Sequence, residues 1–248
     1  GFVLFCFIAT FLSITGVTVL SFFVVKREER GEFVQGAYRS SAAILGIAFI
    51  QNIYGTSGMA PLMIVGTVPL YNAFAVIVLS LLKPGQRKMD KALLQKTLKG
   101  IVTNPIILGI AAGFVWAILK IPQPEILQKT VKNMAVLATP LGLMAMGASF
   151  EGKKAIGKLK PTLIASALKL VVLAAIFLPI AVWLGYRESE LVAILVMLGS
   201  ATTVSSFVMA RNMGHEGVLT SSIVMVTTLC SAFTLTGWLF LLKTLGLV

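Results

Sequence analysis

Residues 2–25 read FVLFCFIATFLSITGVTVLSFFVV, without one charged side chain, and residues 26–30 then read KREER. Wound as a helix at about 1.5 Å per residue, the first run crosses a hydrocarbon core about 30 Å thick. The switch to KREER marks the point where the chain meets water. The run lacks both a charged start and a small-residue cleavage site, so it reads as a span and not as a secretory signal. The rest of the chain repeats this alternation. Hydrophobic residues make up 57% of the sequence, charged residues 12%, and the mean hydropathy is +0.95. A soluble domain carries about twice that share of charge. Lipid is therefore the solvent, and the fold class is all-α: a polytopic transmembrane helical bundle.

Seven further segments read as spans: residues 38–54, 59–82, 101–119, 126–150, 161–186, 190–210 and 218–245. The second is the shortest and is rich in small residues. With eight spans alternating, one side holds Lys26, Arg27, Arg30, Arg39, the basic strip of residues 83–99, Lys153, Lys154, Lys158, Lys160 and Arg211. The other holds only Lys120, Lys129, Lys132, Arg187 and Lys243. The positive-inside rule puts the richer side in the cytoplasm. Leu93, Leu94 and Leu98 make the 83–99 strip amphipathic, suited to the inner membrane surface. The net charge of +12 thus has a membrane explanation, and nucleic acid is not an expected partner.

The sequence shows no metal-ligand spacing, cofactor motif, HExxH, GxSxG or P-loop, so neither a cofactor, a metal nor an enzyme activity is expected. Cys6 and Cys230 read as buried small hydrophobes. The sole histidine, His215, reads as a solvated loop residue. All nine carboxylates fall in loops or at span ends, which disfavours a cation pump or a carboxylate relay. Lys169, by contrast, lies deep in the sixth span. It reads either as part of a substrate pathway or as a snorkelling side chain. Lone buried positive charge favours an anionic substrate.

Two spans are weak helices. The seventh contains Gly199-Ser200-Ala201-Thr202-Thr203-Val204-Ser205-Ser206, and the second contains Arg39-Ser40-Ser41-Ala42-Ala43 and then Gly46. Such runs permit unwound backbone, tolerated in lipid only where it is buried in protein or lines a cavity. Close helix packing is the alternative reading. Asn52, Gly55 and Gly58 after the second span echo Asn212, Gly214 and Gly217 after the seventh. On the alternating topology the two copies have opposite orientation, as in an inverted repeat.

Thr103-Asn104-Pro105, Ala138-Thr139-Pro140-Leu141 through Ser149, Leu168-Lys169-Leu170, Ser206–Gly214 and Pro69-Leu70-Tyr71-Asn72 together resemble the auxin efflux carrier family, which includes bacterial malate and carboxylate permeases. The resemblance runs over nearly the whole chain. It implies ten helices in two inverted five-helix repeats with crossed broken helices, of which the eight spans here are the third to tenth. Residues 1–82 would be the remainder of the first repeat, 83–100 a basic cytoplasmic loop, and 101–248 the second repeat. It also implies a secondary transporter of the cell membrane, in bacteria the inner membrane. The two absent helices would belong to a scaffold domain that forms a homodimer contact. The substrate site would lie where the second and seventh spans cross. Ser41, Gly46, Asn72, Lys169, Thr202, Thr203, Ser205 and Ser206 are the candidate binding residues for a small organic anion such as a mono- or dicarboxylate. The family's usual crossover prolines correspond to Ala48 and Thr202 here, so unwinding is expected to rest on Gly46 and the Ser/Thr run. A gated anion channel and a non-transporting assembly or sensor subunit are the alternatives.

Overall fold

The computed structural model describes residues 1–85, 95, 98–100, 102, 103 and 105–248. Most of the amphipathic 83–99 strip, and Asn104, lie outside the described residues. Helices are the regular elements throughout what is described. In chain order they are α1 (Phe2–Val24), α2 (Arg30–Tyr38), α3 (Ile47–Tyr54), α4 (Ala60–Leu81), α5 (Pro105–Ile118), α6 (Glu125–Ala148), α7 (Gly152–Gly157), α8 (Leu159–Ala167), α9 (Leu173–Trp183), α10 (Glu188–Gly199), α11 (Ser205–Asn212) and α12 (Val218–Thr244). A π turn, Ala42–Gly46, leads into α3, and another, Leu168–Val172, joins α8 to α9.

Five stretches are long and apolar enough to cross a membrane as continuous helices: Phe2–Val24, Ala60–Leu81, Glu125–Ala148, Leu159–Trp183 and Val218–Thr244. Two more segments are helices broken in the middle. The first is α2, a break at Arg39–Ser41, then the π turn and α3; the second is α10, a break after Gly199, and α11. The first starts at Arg30, upstream of the Tyr38 expected from hydropathy. Glu32 and Gln35 made this turn look like loop, yet both are buried in the bundle, at 2% and 0% exposure.

The order long helix, broken segment, long helix therefore occurs twice, as α1 to α4 and as α8 to α12. The turns that follow the two broken segments match in conformation. Gly55 and Gly58 have φ of 71° and 46°, and Gly214 and Gly217 have φ of 82° and 77°, a region that costs glycine little. The two units also cap each other. Ser189, opening the second broken segment, accepts the backbone N–H of Met59 at the start of α4 (3.1 Å). Glu32, opening the first, accepts those of Gly217 and Thr220 at the start of α12 (both 2.9 Å) and the Thr220 hydroxyl (3.0 Å). Each cap satisfies helix N-terminal donors that have no partner within the helix. The two broken segments accordingly begin at opposite ends of the bundle.

Lipid gives apolar helices no hydrophobic reason to associate, so close packing and small residues must hold them. A Cβ on Gly66 of α4 would stand 2.9 Å from the Val3 carbonyl of α1, and one on Gly36 of α2 would stand 2.7 Å from Ile223 of α12. α10 is buried on every face from Leu191 to Gly199, which puts it at the centre. α6 is the opposite case, with 11% of its span window buried against 56% for α12. Its main seat is on α11, where Gly142 faces Val204 and Met146 packs with Phe207. Cys230, expected to be buried, is exposed on α12, while Cys6 is buried. His215, expected to be solvated, is 4% exposed, because the turn that carries it folds back onto Gly31 and Leu79.

Candidate functional site

The two breaks meet. At the first, Tyr38 ends α2 and Arg39 turns extended (φ −71°, ψ 130°); at the second, Gly199 ends α10 and Ser200 does the same (φ −80°, ψ 164°). No proline is needed for either. Ser40, Ser41, Ser200, Thr202 and Thr203 are residues whose side chains compete for backbone hydrogen bonds and so tolerate leaving the helix. Gly46 keeps helical angles (φ −62°, ψ −50°) and packs against Met63 and Val196, so the first break lies nearer Arg39 than the sequence suggested.

Hydrogen bonds join one break to the other. The Ser41 N–H donates to the Ala201 carbonyl (3.0 Å), and the Thr202 hydroxyl to the Gly36 carbonyl (2.7 Å). Gln35 Nε2 donates to the Ser206 carbonyl (2.8 Å), and the Thr202 N–H is held separately by Thr227 Oγ1 of α12 (3.1 Å). The Ser206 hydroxyl itself is buried without a partner.

Breaking α10 leaves its last carbonyls without amide partners. Lys169 donates to the Leu198 carbonyl (2.6 Å), to the Met197 carbonyl (3.3 Å) and to the Ser40 hydroxyl. Tyr71 Oη also donates to the Met197 carbonyl (3.1 Å), as does the Ser40 hydroxyl. An ammonium at a helix C-terminus meets the negative end of the macrodipole. The π turn brings Lys169 there, and the carbonyl of its neighbour Leu170 accepts Trp238 Nε1–H (3.1 Å). Lys169 is 0% exposed and so does not snorkel.

Beside this junction lies a cavity of about 140 Å3, lined by Arg39, Ser40, Ser41, Ala43, Val68, Tyr71, Asn72, Thr203 and Ser205. Of the candidate residues, Ser41, Asn72, Thr203 and Ser205 line it together. Gly46, Lys169, Thr202 and Ser206 do not line it; they pack around the breaks.

Arg39 was counted with the cytoplasmic strip, because hydropathy placed it at the edge of the second span. In the fold it is 3% exposed and stands at the crossover. Its guanidinium donates to Asn72 Oδ1 (2.9 Å) and Ser205 Oγ (3.1 Å) and lies against Met209 Sδ (2.8 Å); Nε is buried without a partner. Asn72 is held in turn by its own bond to the Val68 carbonyl (3.0 Å), and Ser205 Oγ sits 3.2 Å from Thr203 Oγ1. Among the described residues, every hydrogen-bond partner of Arg39 and of Lys169 is neutral. The signal that would have found Arg39 was the apolar spacing of Phe33, Val34, Ala37 and Tyr38, which extends the helix upstream and carries Arg39 into the membrane.

Comparison with curated proteins gave no match. A family model described as membrane transport protein, that of the auxin efflux carriers, matches residues 2–239. A match over nearly the whole chain, on a helical bundle with broken helices, makes this multi-pass membrane protein a member of the auxin efflux carrier family of membrane transporters.

Proposed function

We propose that the protein is a secondary carrier that moves a small organic anion, such as a mono- or dicarboxylate, by alternating access, with the crossover cavity as its binding site. The observation that carries this reading is Arg39, a buried cation on a cavity wall whose partners among the described residues are all neutral. An uncompensated charge in low dielectric is costly, and an anion entering the cavity offsets that cost. Guanidinium also matches a carboxylate bidentately. Ser41, Asn72, Thr203 and Ser205 would complete the shell, and α11 begins at the same wall with the positive end of its dipole. Lys169, Thr202, Gly46 and Ser206 would act from behind, keeping both breaks open. A cavity of about 140 Å3 suits a compact anion. Movement would take the paired units past α6 along the small-residue seam at Gly142. The two units related by opposite orientation support such a motion.

The test is counterflow in proteoliposomes loaded with a panel of unlabelled mono- and dicarboxylates. Saturable uptake of a labelled carboxylate in the wild type and its loss in Arg39→Gln are expected. Uptake of cations alone, or carboxylate uptake unchanged in Arg39→Gln, sinks the reading. Unitary conductance in a planar bilayer would make the protein a channel instead.

A further inference from the structure

Arg39 and Lys169 differ in one property that burial does not change. A guanidinium stays charged in a protein, whereas a lysine can give up its proton. The three partners of Lys169 suit both of its forms. As an ammonium it donates to the Leu198 carbonyl (2.6 Å), the Met197 carbonyl (3.3 Å) and the Ser40 hydroxyl. As an amine it keeps two N–H groups for the two carbonyls, and its lone pair accepts the O–H of Ser40. Only a hydroxyl can reverse in this way; a third carbonyl would leave the lone pair facing another acceptor. The Met197 carbonyl can release Ser40, because Tyr71 Oη holds it as well (3.1 Å). Ser40 also lines the crossover cavity, so one hydroxyl stands between the buried nitrogen and the space assigned to the anion. Of the ionisable groups on the elements packed against the Lys169 turn, Tyr38 and Arg39 reach the crossover from α2. Arg30 and Glu32 lie at the far end of that helix, Lys160 opens α8, Glu188 and Glu190 open α10, and Cys230 and Lys243 of α12 are exposed.

We propose that anion transport is coupled to a proton, with Lys169 as the proton-binding group and Ser40 as its relay to the cavity. This rests on the carboxylate-carrier reading above. In the release step Ser40 Oγ takes a proton from the Lys169 ammonium, and the proton Ser40 already carried passes to a water or a carboxylate in the cavity. Loading runs the same exchange backwards. With the cavity empty, two positive charges share one crossover; an arriving anion offsets both and so favours the ammonium over the amine. By linkage the ammonium favours the anion to the same degree. Anion and proton therefore bind together, which makes the carrier a symporter.

The experiment uses the full chain and two probes, lactate and succinate, whose carboxylates stay ionised above about pH 7. His215, held below its ordinary 6.5, is neutral there as well. Titration calorimetry in two buffers of different ionisation enthalpy reads the protons taken up per anion bound. The wild type should take up a proton with the anion and lose affinity as pH rises, by up to about tenfold per pH unit. In proteoliposomes with the voltage clamped, an inside-alkaline gradient should drive uphill uptake beyond that of protein-free vesicles. Lys169→Met should bind without taking up a proton and still exchange the anion in counterflow, but should not accumulate it on the gradient. Lys169→Arg, which keeps the donors and fixes the charge, should behave the same way and serves if the Met variant does not fold. Anion binding without proton uptake in the wild type overturns the coupling and leaves the carrier reading standing. So does gradient-driven accumulation in either variant. Absence of both binding and counterflow across the whole carboxylate panel overturns the carrier reading and the coupling together.

Discussion

The two broken segments do the same structural job with different chemistry. The first break puts a cation, Arg39, on the cavity wall and closes with a π turn. The second supplies hydroxyls to that wall and receives its cation, Lys169, from another helix, behind the break rather than in front of it. Both cations are buried and both have neutral partners. Their geometry separates them: Arg39 keeps an unpartnered Nε beside the cavity, whereas Lys169 spends its donors on two carbonyls and a hydroxyl. Equal burial and equal charge thus support different roles, one toward a ligand and one toward the helix end.

The largest effect is expected from Arg39. Replacing it by Gln should weaken carboxylate binding by roughly thirtyfold or more, because a bound carboxylate loses its charged partner in low dielectric. The fold should lose little, since the guanidinium's partners among the described residues are neutral and no ion pair with them is broken. Transport and melting temperature, measured on the same preparation, therefore move apart. Lys169→Met should do the reverse. It strips the Leu198 carbonyl of its ammonium donor and costs about 1–3 kcal/mol, read as a lower melting temperature, while the Km for the anion changes less than in Arg39→Gln. A Lys169→Met protein that melts normally but has lost the anion would put the ammonium on the substrate and erase the contrast.

The sequence reading found the five long continuous spans because charge-free runs such as residues 2–25 have no other explanation. Residues 101–119, also read as a span, carry the 14-residue α5, which is not among the five. It found the second break because Ser200, Thr202 and Thr203 announce themselves in an apolar field. It misplaced the start of the first broken segment. Hydropathy averages Glu32, Gln35 and Arg39 into a loop, whereas each is buried by a partner far away in sequence: Gly217 and Thr220, Ser206, and Asn72 with Ser205. Polar residues buried by long-range partners lower the mean hydropathy that marks a span, even where the apolar spacing around them is helical, and the same limit hid His215. Lys169 could be recognised as buried from its depth in the span. What it touches could not, because its acceptors exist only once α10 has broken.

Smaller effects test how tightly the breaks are tied. Thr202→Val removes the bond to the Gly36 carbonyl and should destabilise by about 1–2 kcal/mol, whereas Ser206→Ala, whose hydroxyl has no partner, should cost less than about 0.5 kcal/mol. Chemical denaturation of the two variants side by side checks this. If Ser206→Ala costs as much as Thr202→Val, the tie between the breaks is not what Thr202 contributes.

The smallest effect concerns the two glycine turns, which differ in one titratable pair. The turn after the first segment reads Gly55-Thr56-Ser57-Gly58; that after the second reads Gly214-His215-Glu216-Gly217. His215 donates to the Leu79 carbonyl through Nε2–H (2.8 Å), and its Nδ1 is buried without a partner among the described residues. Burial lowers its pKa from the ordinary 6.5; the bond to Leu79 and the carboxylate of Glu32 oppose this, and the Lys83 ammonium adds to it. A ring that stays neutral in the folded protein binds fewer protons than the unfolded chain, so stability is full above about pH 6.5 and falls as pH drops below it. Glu216 adds a slope of the same sign at lower pH, because Lys158 and then Lys154 hold its carboxyl below the usual range. Melting temperature should therefore fall between pH 7.5 and 5.5, two settings that bracket the histidine range, and His215→Gln should flatten that limb. An unchanged limb in His215→Gln would mean that the second turn carries no more pH dependence than the first.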